Sequence, residues 1–160
     1  MRRYLLDTNV FDALVKGIIQ RSDLPADGQL CATTVQLAEL ESTKDMQMRL
    51  MLTSLFREIV VENANINPAV AFGIAGAGFG QGEWRTDGGP WLALKKDLDE
   101  EWERRSSKQK KRSRKENNLR DTAIAEAALH NGCVLITRDE ELAKVAEKHS
   151  IETILLTIKP

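Results

Sequence analysis

Two cysteines and two histidines in 160 residues leave this chain few ways to hold a soft metal or a disulfide framework. Cys31 and Cys133 each stand at the start of a predicted strand among apolar neighbours. They read as small buried hydrophobes, since a pair so placed supplies neither a stapled scaffold nor a zinc site. His130 and His149 fall near predicted helix ends, where an imidazole is expected to interact with terminal carbonyls rather than a metal. No serine, threonine or cysteine has a convincing base beside it, which sets covalent catalysis aside. Long apolar runs are also missing: nothing approaches the roughly 20 residues that span a bilayer. Met1-Arg2-Arg3-Tyr4 leads straight into a strand, with no hydrophobic signal stretch and cleavage site behind it. No membrane partner is expected, and cytoplasmic residence is the default. An excess of charge is lacking too: the formal net charge is −1, which by itself disfavours a polyanion as partner.

What is present fits a compact α/β enzyme. A chain that is 42% hydrophobic and 29% charged should form one domain over residues 1–160 and bury roughly two-thirds of its unfolded surface. Tyr4-Leu5-Leu6 reads as the first strand, followed by a helical pattern through Leu14, Val15, Ile18 and Ile19. Leu30-Cys31-Ala32 is a short second strand, and Thr33 or Thr34 caps the helix after it. Asp45 to Phe56 predicts a helix with Met48, Met51, Leu52, Leu55 and Phe56 on its buried stripe, then Ile59-Val60-Val61 a third strand. Pro68 suits the first turn of a further helix capped by Asn67. Asp121 to His130 is helical and stops at Asn131-Gly132. Cys133 to Thr137, Glu140 to Lys148 and Thr153 to Thr157 complete the alternation as strand, helix and strand. Such alternation implies a mostly parallel sheet between two helical layers.

Four acids recur at the junctions of these units. Asp7 follows the first strand, Glu39 lies in Leu37-Ala38-Glu39-Leu40, Asp121 precedes Thr122-Ala123-Ile124-Ala125, and Asp139 ends Leu135-Ile136-Thr137-Arg138-Asp139. Any one of them is explained by capping a helix. Four carried toward the C-terminal edge of one sheet, where α/β folds place their chemistry, point to a metal site. Hard oxygen donors suit Mg²⁺, which keeps several waters and borrows phosphate oxygens. Without a cation the clustered carboxylates should repel and some should titrate high. Glu41, Glu126, Glu140 and Glu141 are explained by solvated faces or favourable first turns, with Glu126 held in reserve because it lies near Asp121. Asp12 is close enough along the first helix to assist, although capping and solvation account for it.

The stretch at about 73–118 has another character. Gly73, Gly76, Gly78, Gly80 and Gly82 crowd together without the Gly-Lys-Ser/Thr of a phosphate loop. Close packing or a mobile connection is the expected reason. Trp84, Trp91 and Trp102 follow, expected in a local cluster or a dimer contact ahead of stacking on nucleic-acid bases. Then Asp97, Asp99, Glu100, Glu101 and Glu103 give way to Arg104, Arg105, Lys108, Lys110, Lys111, Arg112, Arg114 and Lys115. As one helix this order suits the macrodipole and supplies Glu100–Arg104 and Glu101–Arg105 pairs. Eight bases without an acid exceed that need. A solvated segment is the plain account, and neutralising the phosphates of a polyanion beside Asp121 is the favoured one.

The chain resembles PIN-domain ribonucleases, and among them the VapC-type toxins of bacterial toxin–antitoxin pairs. The resemblance rests on Leu6-Asp7-Thr8-Asn9, Leu37-Ala38-Glu39-Leu40, Asp121-Thr122-Ala123-Ile124-Ala125 and Leu135-Ile136-Thr137-Arg138-Asp139, in that order. Order and spacing hold from Met1 to about Val61 and from Leu119 to Thr157, so the segment between is an insert relative to the family pattern. The resemblance implies a three-layer α/β/α fold around a five-stranded parallel sheet ordered 3-2-1-4-5. It implies Asp7, Glu39, Asp121 and Asp139 as ligands of Mg²⁺ or Mn²⁺, with Asn9 and Thr137 as polar support for the carboxylates or the water. It further implies an RNA substrate cut to leave 5′-phosphate and 3′-hydroxyl ends, an antitoxin protein as partner, and the homodimer common among members. Two other readings remain: a housekeeping or mobile-element nuclease of the same fold without antitoxin, and a catalytically silent RNA- or protein-binding module. A phosphatase with an aspartyl nucleophile is disfavoured because it would want a second Asp where Asn9 stands.

Overall fold

The computed structural model describes residues 1–60, 65–68, 71, 74–78, 81–83, 89–105 and 111–157. Its strands are β1 (Arg2–Leu6), β2 (Gly28–Thr33), β3 (Asn65–Ile66), β4 (Val134–Thr137) and β5 (Thr153–Leu155). Its helices are α1 (Thr8–Val15), α2 (Thr34–Glu41), α3 (Met46–Ile59), α4 (Gly89–Arg105), α5 (Lys111–Asn131) and α6 (Glu140–Lys148). The strands pair in parallel in the order β3-β2-β1-β4-β5. Tyr4 stands opposite Leu30 on one side and Val134 on the other, which makes β1 the centre. Tyr4, Leu5, Leu6 and the whole of β4 are buried, as strands covered on both faces must be. Among the described residues no helix is long and apolar enough to cross a membrane.

The junctions after β1, β2 and β4, and the turn between α2 and α3, are closed by capping side chains. Asp7 caps α1, Asp45 caps α3 and Asp139 caps α6. Thr33 and Gln36 form a capping box at α2. Gln36 is fully buried, and its Nε2 donates to the Leu6 carbonyl at 2.8 Å, tying the start of α2 to the end of β1. These contacts hold the strand ends, and so the groups just beyond them, in fixed relation. In the core below, Phe11 of α1 meets Phe56 of α3 with ring centroids 5.4 Å apart.

A smaller cluster of Val35, Ile74, Ala77 and Ala123, with Trp91 and Leu119 against it, joins the middle segment to α2 and α5. Gly76 makes this approach possible. Its φ is +86°, and a Cβ there would press on the Thr34 carbonyl and the Val35 backbone. Gly76→Ala should therefore destabilise the protein by roughly 1–3 kcal/mol. Urea unfolding would show this as a lower midpoint with an unchanged slope; an unchanged midpoint would mean that the loop moves away freely.

Several elements differ from their expected places. Ile59 ends α3 and Val60 caps it, both buried, while β3 lies at Asn65–Ile66. A three-residue apolar run cannot distinguish a buried helix end from a strand, and Val61 lies outside the described residues. The described residues after Pro68, 71 and 74–78, are not helical, residues 69, 70, 72 and 73 lie outside the description, and Asn67 donates its side-chain amide to Glu83 at 3.1 Å. Met51 is exposed, whereas Thr53 is buried with its hydroxyl donating to the Arg49 carbonyl at 2.9 Å. α5 begins at Lys111, ten residues ahead of the expected start at Asp121. The acids, with Arg104 and Arg105, thus lie on α4, while Lys111, Arg112, Arg114 and Lys115 lie on α5, residues 106–110 being outside the description.

Of the two expected charge pairs, Glu101–Arg105 cannot be placed because the Arg105 side chain lies outside the described residues, and Glu100–Arg104 gives way to other partners. Glu100 pairs with Lys96 at 3.7 Å, and Arg104 pairs with Glu101 at 3.3 Å. Glu101 is buried because it also receives Lys144 of α6 at 2.6 Å. Lys148 and His149 both reach Asp97 at 2.7 Å. The imidazole of His149 therefore docks α4 onto α6 instead of closing helix carbonyls, a task left to its backbone N–H. These partners hold the Asp97 carboxyl below its ordinary range, Lys148 foremost. Glu126, expected on a solvated face, is buried because residues 122–128 of α5 all face the interior.

Candidate functional site

Asp7 is placed by the register of the central strands. Its N–H donates to the Ile136 carbonyl at 2.8 Å, fixing the end of β1 against β4. Oδ1 accepts from the Thr8 N–H at 2.7 Å and Oδ2 from the Thr137 hydroxyl at 2.6 Å. Thr137 Oγ1 in turn accepts from the Asp139 N–H at 2.9 Å and lies 3.3 Å from Asn9 Nδ2. Asn9 Oδ1 accepts from the Arg138 N–H at 3.0 Å. Asn9 and Thr137 thus lock the ends of β1 and β4 together around the first carboxylate.

The other acids arrive from separate elements. Glu39 of α2 accepts from the Thr8 hydroxyl at 2.8 Å and faces Arg120 at 3.5 Å. Asp139 takes the Glu141 and Leu142 N–H groups at 2.8 and 3.1 Å as the cap of α6. Asp121 projects from the middle of α5. All four line one cavity of about 360 Å³, with Thr8, Asn9, Asp12, Asn117 and Arg120 beside them.

The carboxylates sense one another. Burial pushes Asp7 up to about 7, against the hydrogen bonds from Thr137 and Thr8, with the charges of Asp139 and Glu39 adding to the rise. Burial also carries Asp121 well above the ordinary carboxylate range, followed by the charges of Asp7, Asp139 and Glu39, while Arg120 opposes them. Acids that share a poorly solvated space cannot all ionise without a compensating positive charge.

Among the described residues, no three His, Cys, Asp or Glu side chains close on a point tightly enough to hold an ion alone. Asp7, Glu39 and Asp139 are each drawn toward a separate donor by the bonds above. The donor set still fits Mg²⁺ or Mn²⁺: every charged donor is a carboxylate oxygen, and the cavity has room for water. Mg²⁺ commonly keeps several waters and uses few direct carboxylate bonds, so a dry protein cage is not needed.

Of the expected basic residues, Arg104 is exposed at the end of α4 and paired with Glu101. Arg105 ends α4, and Lys111, Arg112, Arg114 and Lys115 occupy the first turns of α5. Their side chains, with Lys108 and Lys110 entirely, lie outside the described residues. Of the tryptophans, Trp91 packs on the smaller cluster, Trp102 is buried, and Trp84 is outside the description. Three contributors were missed in the sequence. Thr8 and Arg120 act on Glu39 through the fold, and only their adjacency to Asp7 and Asp121 could have flagged them. Gln36 was legible as the fourth residue of a capping box.

No family model matches the chain, and no curated protein sequence matches it. Solved structures do match in fold. A domain of a functionally unknown protein from Methanocaldococcus jannaschii DSM 2661 is 16% identical, covering 100% of this chain and 94% of that one, with a TM-score of 0.55. A member of the VapBC family of toxin–antitoxin systems, VapBC-5 from Mycobacterium tuberculosis, is 20% identical, covering 98% of this chain and 100% of that one, with a TM-score of 0.53. At such identities the likeness speaks to fold alone: the chain shares its fold with these two structures.

Proposed function

We propose that this protein is a metal-dependent endoribonuclease acting in the cytoplasm as the toxin half of a toxin–antitoxin pair. The observation that carries the reading is the meeting of Asp7, Glu39, Asp121 and Asp139, from four separate elements, in one cavity at the C-terminal edge of the sheet. The toxin role is supported by the shared fold with a structure from a VapBC system. The four acids would hold Mg²⁺ or Mn²⁺. When bound, the ion would neutralise charge on the scissile phosphate and make an attacking water more acidic.

The chain's own residues would supply position. Thr137 and the Thr8 N–H keep the Asp7 oxygens from rotating. Asn9 holds the Arg138 backbone, so the turn carrying Asp139 keeps its distance from Asp7. Arg120, on the rim with Glu39, offers a cation to the incoming phosphate. The bases from Arg104 to Lys115 would neutralise the strand further along, offsetting an overall charge unsuited to RNA. A silent binding module would have no need of four carboxylates in one cavity, which disfavours that alternative. An antitoxin that covers the acidic cavity would be the natural inhibitor, and a homodimer the expected assembly.

Expression in a bacterial host tests the toxin reading. The wild-type chain should arrest growth, and co-expression of a small protein encoded beside it should restore growth. Absence of arrest at good expression would favour a housekeeping nuclease. Arrest that persists in Asp7→Asn would separate toxicity from the acidic cavity.

A further inference from the structure

Asp121 and Asp139 also form part of a second cavity, of about 500 Å³, that Glu39 does not line. Asn117 lines both spaces, so the two join along one wall. The second cavity is closed by Leu98 and Trp102 of α4, and α4 belongs to the segment that departs from the family pattern. Leu142 completes a small apolar floor beneath a lining that is otherwise mostly polar, all three of these side chains being largely buried. Its volume lies in the range of small-ligand sites.

Arg138 gives this cavity a charge. Its backbone N–H is held by Asn9, while its side chain lines the second cavity and not the first. Among the described residues the guanidinium has no ion pair, and its Nε is buried without a hydrogen-bond acceptor. Buried donors are almost always satisfied, so an unmatched Nε shows a guanidinium not committed to an acceptor among the described residues, on a side chain that lines the cavity. A guanidinium is also the side chain best suited to a phosphate. Among the described residues lining this cavity Arg138 supplies the positive charge, set against the acids Asp121, Asp139, Glu140 and Glu141.

We infer that the second cavity seats the nucleotide adjoining the scissile phosphate of a single-stranded RNA, with Arg138 binding its phosphate and the Leu98–Trp102–Leu142 floor receiving its base. This rests on the nuclease reading above. A strand whose reactive phosphate faces the four acids continues over the Asp121–Asp139 wall into this space. An unpaired base fits an apolar floor, and recognition of RNA commonly uses such splayed bases. Asn117, common to both cavities, is placed to contact the base edge or the connecting ribose.

The test is an anisotropy titration with a fluorescein-labelled single-stranded RNA dodecamer. All proteins carry Asp7→Asn so that the probe stays intact, with intactness checked on a gel. Arg138→Met should weaken binding about tenfold and make the slope of log affinity against log salt shallower by about 0.7, the share of one phosphate contact on a single strand. Arg138→Lys keeps the charge and should retain the slope, which separates lost contact from a damaged fold. Arg21→Met removes an equal charge beside Glu58, at the edge of the sheet where β2 begins, and should change neither quantity. Unchanged affinity and slope in Arg138→Met, with cleavage by the Asp7 protein intact, would overturn the subsite and leave the nuclease reading standing. An Asp7 protein that neither binds nor cleaves the RNA would overturn both.

Discussion

Asp7→Asn should reduce metal-dependent RNA cleavage by on the order of a thousandfold, equivalent to about 4 kcal/mol of transition-state stabilisation, while the protein stays folded. Asp7 is only 3% exposed and both its oxygens are engaged, one by Thr8 and one by Thr137. Asn is nearly isosteric, and its carbonyl oxygen can accept one of those two bonds. What it cannot supply is the negative charge that a divalent cation needs at the end of β1. Fold and stability should hold or improve, since one of several repelling charges is removed. Circular dichroism and a melting curve would check the fold, and single-turnover cleavage of a labelled RNA would check the activity. Substantial cleavage in a folded Asp7→Asn protein would place the reaction elsewhere.

The second large effect is a pH dependence of stability in the metal-free protein. Asp7 releases its proton at an ordinary value of 3.8 when unfolded and at about 7 when folded. Across that interval the native state binds a proton that the unfolded chain has lost, so stability falls as pH rises. Asp121 shifts in the same direction for the same reason. Asp97, held low by Lys148 and His149, works the opposite way and costs stability only in acid. In the presence of chelator the protein should therefore be more stable at about pH 5.5 than at about pH 8, by on the order of a few kcal/mol. At this chain length each kcal/mol moves the melting temperature by roughly 2–4 °C. Asp7→Asn should shrink the difference. Added Mn²⁺ should raise the melting temperature chiefly at the higher pH, where the carboxylates are ready to receive it. Equal melting temperatures at the two pH values would mean that the acids are better solvated than their burial indicates.

Much of the site-bearing frame was legible because it follows from local rules. Apolar runs bounded by Asp7, Thr33 and Asp139 marked β1, β2 and β4 together with the helix starts beyond them. The burial of Cys31 and Cys133 followed from their apolar neighbours, and burial pushes the Cys31 thiol up to about 11. The local rules ran out where tertiary contacts decide. Nothing near Ile59 announces that α3 continues through it, because a buried helix end and a short strand share one composition. His149 and Asp97 are 52 residues apart, so their pairing was invisible to any local window. Glu126 stays inside because α5 is enclosed on this stretch, which its charge alone argued against. The gathering of the four acids was readable as a tendency of strand ends. Their exact spacing was not, because Thr8, Thr137 and the amides of α6 each draw a different carboxylate aside.

Cleavage mapping of a defined RNA by the purified protein tests the central claim most directly. It would be run with Mg²⁺ or Mn²⁺ and again with chelator, beside Asp7→Asn. The account predicts discrete cuts with 5′-phosphate and 3′-hydroxyl ends that vanish on chelation, return with added metal and are absent from the variant. Equal cleavage in chelator, or the same cuts by folded Asp7→Asn, would contradict a metal-dependent reaction in this cavity.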